Sequence, residues 1–104
     1  MRGRPGTKPS YVYILSNFNR TTFYTGVTTD LRARVQTHRD TAGSKFATKY
    51  KLKDLVYYEV FNQIREAIQR EKALKKWHRE WKIRLIQSVN PDMRDLSQEI
   101  PWTW

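Results

Sequence analysis

Five side chains combine the groups that hydrolysis of a phosphoryl ester requires. Two phenols, Tyr13 and Tyr24, sit in the short segments Tyr11-Val12-Tyr13 and Tyr24-Thr25-Gly26, and a guanidinium, Arg34, an imidazole, His38, and a lone carboxylate, Glu71, follow. An imidazole or a phenol can take a proton from water, a guanidinium matches the forked geometry of phosphoryl oxygens, and a carboxylate can hold a hard divalent cation. Each also has an ordinary reading. Strand tyrosines usually pack across strands, an inward arginine can be half of a buried ion pair, and a histidine can be a satisfied core group. The elements that carry these residues decide whether they meet.

Tyr11 to Leu15 and Thr22 to Val27 are rich in β-branched and aromatic residues, and Asn17-Phe18-Asn19-Arg20 between them is turn-like, which predicts two antiparallel strands. Alternation puts Tyr11 with Tyr13 on one face and Tyr24 with Gly26 on one face; if the faces coincide, the two phenols are neighbours. A helix is expected from about 30 to 39, capped by Thr29 or Asp30, with Leu31, Arg34, Val35 and His38 at i, i+3, i+4 and i+7. That spacing places Arg34 and His38 on the inward face, which is costly unless something anionic lies there. A polar, basic loop runs through Lys53, and a third strand is expected near 55 to 61, with Leu55, Tyr57 and Phe61 on one face and Val56, Tyr58 and Val60 on the other.

Helices are expected from about 63 to 89. At about 100° per residue, Glu71 falls between Ala67 and Ile68 on an apolar stripe that includes Ile64 and Leu74. A carboxylate there must find a cation, an arginine or a metal. Trp77, Trp81, Leu85 and Val89 form a row at i+4 spacing that is expected to pack the last helix onto the sheet, and Asn90 before Pro91 reads as a helix stop. The fold class is therefore α/β (α+β), a small three-stranded, mainly antiparallel sheet flanked by helices. It occupies 11–98, after a flexible basic arm, 1–10, and before an aromatic tail, 99–104, with Trp102 and Trp104.

The chain has 104 residues, enough for one domain with one modest core. It has no cysteine, so it forms neither disulfides nor a thiolate zinc site, and two histidines are too few for a histidine-based one. The absence of a long apolar run excludes a membrane span, and the basic first ten residues lack the apolar core of a secretory signal, which makes a cytoplasmic protein the economical expectation. Net charge is +10. Eight cations between Arg65 and Arg84 face only three acids. Such a surface attracts polyanions by charge and counterion release, and Arg70, Lys75, Lys76 and Arg79 are its candidate phosphate contacts. In the loop, Ser44 to Tyr50 interleaves hydroxyls, aromatics and the cations Lys45 and Lys49, a mixture suited to phosphates and unstacked bases and equally to a loop that Phe46 and Tyr50 anchor to the core.

These residues together resemble the GIY-YIG nuclease superfamily, in particular its small bacterial single-domain members, similar to the N-terminal domain of excinuclease C. The resemblance rests on Tyr13, on Tyr24 with Gly26, on Asp30 to Arg34, on Leu55 to Glu59 and on Glu66 to Trp77, and it covers roughly residues 10 to 98. Two departures are outside the chemistry: Tyr11 stands at the family's first glycine and Thr25 at its second isoleucine. A third matters more. Val27 replaces a lysine that several members place near the attacking water, so any base-assisting role passes to another group, with His38 nearest in sequence logic. The resemblance implies a divalent-metal-dependent endonuclease acting on DNA, duplex or branched, in repair or recombination. Tyr13 would accept the water proton, with its proton affinity lowered by nearby cations, Tyr24 would hold water or phosphate, Arg34 would neutralise the phosphoryl oxygens, and Glu71 would hold Mg²⁺ or Mn²⁺. The alternative is a non-catalytic nucleic-acid-binding module of the same fold. An RNA-binding or ribosome-associated basic protein fits the charge but leaves Arg34 and Glu71 unexplained.

Overall fold

The computed structural model describes residues 8–40 and 49–100. Strands β1 (Ser10–Ser16), β2 (Phe23–Thr28) and β3 (Asp54–Phe61) form one antiparallel sheet in the order β2-β1-β3. The helices are α1 (Leu31–Asp40), α2 (Ile64–Lys75) and α3 (Arg79–Val89), and a single 3₁₀ turn spans Ser97–Glu99. The architecture is α+β. Among the described residues no helix is long and apolar enough to cross a membrane.

Strand β1 lies between the other two and is buried along its whole length. A central strand covered on both faces needs apolar residues at odd and even positions alike, as Tyr11-Val12-Tyr13-Ile14-Leu15 supplies. Tyr11, Tyr13 and Leu15 pack with Leu31 and Val35 of α1 and with Leu52, Leu55 and Ile100. On the other face Val12 packs with Ala67 and Leu74 of α2, and Ile14 with Val56, Tyr57, Met93 and Ile86 of α3.

The β1–β2 turn is tied by the Asn17 carboxamide, whose Oδ1 accepts the Thr21 and Thr22 amides at 2.9 and 3.1 Å. Arg20, at φ 59°, turns the chain there and clamps it to the body: its guanidinium donates to the Met93 carbonyl at 2.7 Å and pairs with Asp54 at 2.7 Å. Asn90 ends α3 as expected. Its buried carboxamide donates to the carbonyls of Val56 and Arg94 at 3.0 and 2.9 Å and accepts the Arg94 amide at 3.2 Å, so it is a structural stop.

Three expectations are corrected. The alternation of β3 is broken by a bulge: Ile14 pairs with Tyr57 but Leu15 with Leu55, so Val56 is an extra residue and both Val56 and Tyr57 join the α3 side. Leu55 and Tyr58 consequently share the tyrosine face, where strict alternation separates them. The row Trp77, Trp81, Leu85, Val89 packs only in part: Trp77 and Leu85 reach the core beside Val12, Ala67 and Leu74, Ile86 and Ile83 bury α3 against Ile14, and Trp81 and Val89 stand 52% and 67% exposed. Finally, the sheet begins at Ser10, one residue inside the expected arm, of which residues 1–7, like Trp102 and Trp104, lie outside the described residues.

Candidate active site

The hairpin register brings the phenols together. Tyr13 pairs with Gly26 and Leu15 with Tyr24, so Tyr13 and Tyr24 share a face on adjacent strands, ring centroids 6.3 Å apart. The Tyr13 ring crosses over Gly26, where a β-carbon would lie 2.5 Å from Tyr13 Cζ and Oη. Glycine is needed for this close approach, which lays the buried phenol across the edge strand.

Helix α1 carries the next two groups. Asp30 caps it, its Oδ1 accepting the Ala33 amide at 3.1 Å. Leu31, Val35 and His38 are buried on one face, and His38 stacks obliquely against both tyrosines, 5.6 Å from the Tyr24 ring and 6.2 Å from that of Tyr13. Its Nε2 lies 3.5 Å from Tyr13 Oη, and its Nδ1 is buried without a hydrogen-bond partner.

Arg34 is exposed as a residue, at the shoulder of the stripe about 60° off the Leu31 line, yet its guanidinium reaches back to hydrogen-bond the buried Tyr13 phenol. Its charge still acts on the cluster. Burial drives the Tyr13 phenol up to about 12, reinforced by Tyr24 and Glu71, and Arg34 opposes this by hydrogen bonding and charge without prevailing. Arg34 lowers the proton affinity of Tyr13 as expected, but in the free protein burial outweighs it. His38 shifts the other way: burial, aided by Arg34, holds it below the usual imidazole range, so it is neutral at pH 7.

Glu71 reaches this field from α2, which lies across β1 and β2. Its side chain is 14% exposed and pairs with Lys75 Nζ at 3.1 Å, one helical turn on. No ion pair joins Arg34 to Glu71 among the described residues; the partner of this carboxylate is Lys75. Among the described residues no three histidines or acids converge on one point.

The expected phosphate contacts divide. Lys76 and Arg79 are exposed, as is Lys49, whose ammonium lies 5.4 Å above the Tyr50 ring. Lys75 is engaged by Glu71. Arg70 departs from expectation: it holds Glu59 with two hydrogen bonds of 2.9 Å, and Tyr57 also donates to that carboxylate. Glu59 received no role from sequence, since on an exposed-looking strand position nothing local announces a partner on α2. Lys45 lies outside the described residues.

A three-stranded antiparallel sheet with two tyrosines meeting over a glycine, an imidazole against both and a carboxylate brought from a later helix defines a small α+β domain of the nuclease type. The chain belongs to the GIY-YIG family: residues 9–84 match the GIY-YIG catalytic domain. It is 44% identical over 71 residues to UPF0213 proteins of Streptococcus pyogenes serotypes M3 and M1, spanning 67% of this chain and 75% of each relative. The solution NMR structure of a UPF0213 protein from Bacillus halodurans superposes with a TM-score of 0.54 at 27% identity, covering 91% of this chain and 99% of that one. Membership places the chain in a nuclease superfamily, with nucleic acid as its general substrate class.

Proposed function

We propose that the chain is a cytoplasmic, divalent-metal-dependent endonuclease that hydrolyses DNA phosphodiester bonds in repair or recombination. The observation that carries the reading is the contact of Tyr13 Oη with His38 Nε2 at 3.5 Å, with Tyr24 beside both rings, Arg34 hydrogen-bonded to the phenol and the charge of Glu71 acting on it. A phenol held near 12 does not ionise at pH 7 by itself. As a relay it can act: the water proton passes to Tyr13 Oη while the phenolic proton passes to His38 Nε2, so no free phenolate forms and the imidazole takes up the charge. Tyr24 orients the water or the phosphate. Arg34, exposed beside the phenols, meets the phosphoryl oxygens. A cation held by Glu71, Mg²⁺ or Mn²⁺, would supply charge neutralisation to the phosphate. With Val27 providing no amine, His38 is the only buried imidazole among the described residues that touches Tyr13.

The test is cleavage of linear, nicked, flapped and branched DNA with and without Mg²⁺ or Mn²⁺, on the parent and on Glu71→Gln. The variant is expected to lose metal-dependent cleavage and keep DNA binding. Because its ion-pair partner is the half-exposed Lys75, stability should change by less than about 1 kcal/mol. Cleavage by the variant at the parent rate, or a parent that cuts none of the four substrates with metal, would overturn the reading.

A further inference from the structure

Helix α3 presents apolar residues on two sides; the core takes Ile83 and Ile86 and also touches Leu85 and the preceding Trp77, and it leaves Trp81 half-exposed. Ile83 and Ile86 face the sheet, whereas Trp77, Trp81, Arg84, Leu85 and Ser88 line an open groove of about 350 Å³ on the outside of the α2–α3 layer. The core side of this layer packs on Val12 and Ile14, the sheet face opposite Tyr13 and α1, and of its residues only Glu71 is placed by its charge in the field of the tyrosine cluster.

The aromatic wall of the groove is held rigidly. Glu59 fixes the Arg70 guanidinium, which lies 5.3 Å from the centre of the Trp77 ring. Trp77 meets Trp81 edge to face at 6.1 Å, and Trp81 meets His78 at 5.5 Å in the same manner. Trp81 thus keeps a defined orientation while remaining 52% exposed, an indole set in place with surface left to cover. The surroundings are cationic: Arg79, Lys82 and Arg84 share α3 with a single acid, Glu80, and Lys72 and Lys76 are exposed at the end of α2.

We propose that this groove is a stacking site for an unpaired base of single-stranded nucleic acid, separate from the tyrosine cluster. A fixed, half-exposed indole offers a π-face that any base can cover, and the flanking cations can meet the phosphates on either side of it. Charge decides against the other occupants. A second copy would set one +10 chain against another, and an apolar protein segment would have to desolvate Arg84 and gain nothing from the cations around it.

The test uses the full chain without metal, so it reads the groove whether or not phosphodiesters are cut. Fluorescence anisotropy would compare a labelled oligothymidine, an abasic strand with the same number of phosphates, and a hairpin duplex. The parent is expected to prefer oligothymidine to the abasic strand by about tenfold, Trp81→Ala to abolish that preference, and Trp81→Phe to retain most of it. Duplex affinity should be the same for all three proteins. The abasic comparison needs only the parent, so it holds even if a variant folds poorly. Equal parent affinity for oligothymidine and the abasic strand would overturn the proposal, as would an undiminished preference in Trp81→Ala or a parent dimer in sedimentation that Trp81→Ala splits.

Discussion

At Gly26 an added β-carbon would meet the far end of a ring that is itself fully buried, so neither strand nor phenol can give way cheaply. Alanine in a strand ordinarily improves on glycine by reducing unfolded-state entropy. Here the steric term wins. Gly26→Ala is expected to destabilise by about 1–3 kcal/mol in urea unfolding and to lower cleavage by displacing Tyr13 from His38. The same contact gives a pH dependence. His38 binds its proton less readily in the folded chain than in the unfolded one, so the unfolded state takes up more protons as pH falls through the ordinary histidine value near 6.5. Stability from this group is present above that pH and lost below it. Thermal melts between about pH 8 and 5 should show the slope, and His38→Gln should flatten it while lowering cleavage.

Between elements, the Tyr57–Glu59–Arg70 cluster joins β3 to α2 in the middle of the chain's most basic stretch. Burial alone would raise the Glu59 carboxyl, but hydrogen bonds from Arg70 and Tyr57 and the Arg70 charge overcome it and hold it below the ordinary range. The stability it contributes is therefore present above the unfolded carboxylate value and lost as pH falls through the lower folded one. Arg70→Ala leaves a largely covered carboxylate with only the Tyr57 hydroxyl. It should cost about 1–3 kcal/mol in urea unfolding and reduce the acid sensitivity of what stability remains. An unchanged unfolding midpoint would return Arg70 to the set of surface phosphate contacts.

Over the whole molecule, a net charge of +10 is expected to govern encounter with nucleic acid more than any single contact. Lys49, Lys76, Arg79 and Arg84 are exposed, and phosphates neutralised by such side chains release counterions. If roughly six phosphates are met, duplex affinity should fall about a thousandfold between about 50 and 200 mM salt. Titrations at these two concentrations check it, and a flat response would mean that the cations serve solubility alone.

Local pattern sufficed for much of the fold and for the meeting of the two phenols. Period-two alternation on either side of a turn places Tyr13 and Tyr24 on a shared face, and Leu31, Val35 and His38 at helical spacing bring the imidazole to them. Identity of the residues also set the charge and the family signature. Other outcomes depended on competition between distant segments. The bulge that adds Val56 to β3 arises from pairing with β1, which a strand read by itself cannot reveal. Two apolar rows competed for the sheet; Ile86 was buried with Ile83 beside it, Trp77 and Leu85 reached the core only at its margin, and Trp81 and Val89 were left outside. Arg34 is exposed yet reaches back to the Tyr13 phenol because its stem is long, and Glu71 took Lys75 as partner because that amine lies one turn away on the same helix. The rise in Tyr13 proton affinity was likewise tertiary: it follows from how completely water is excluded around the phenol, a property of packing and not of residue type.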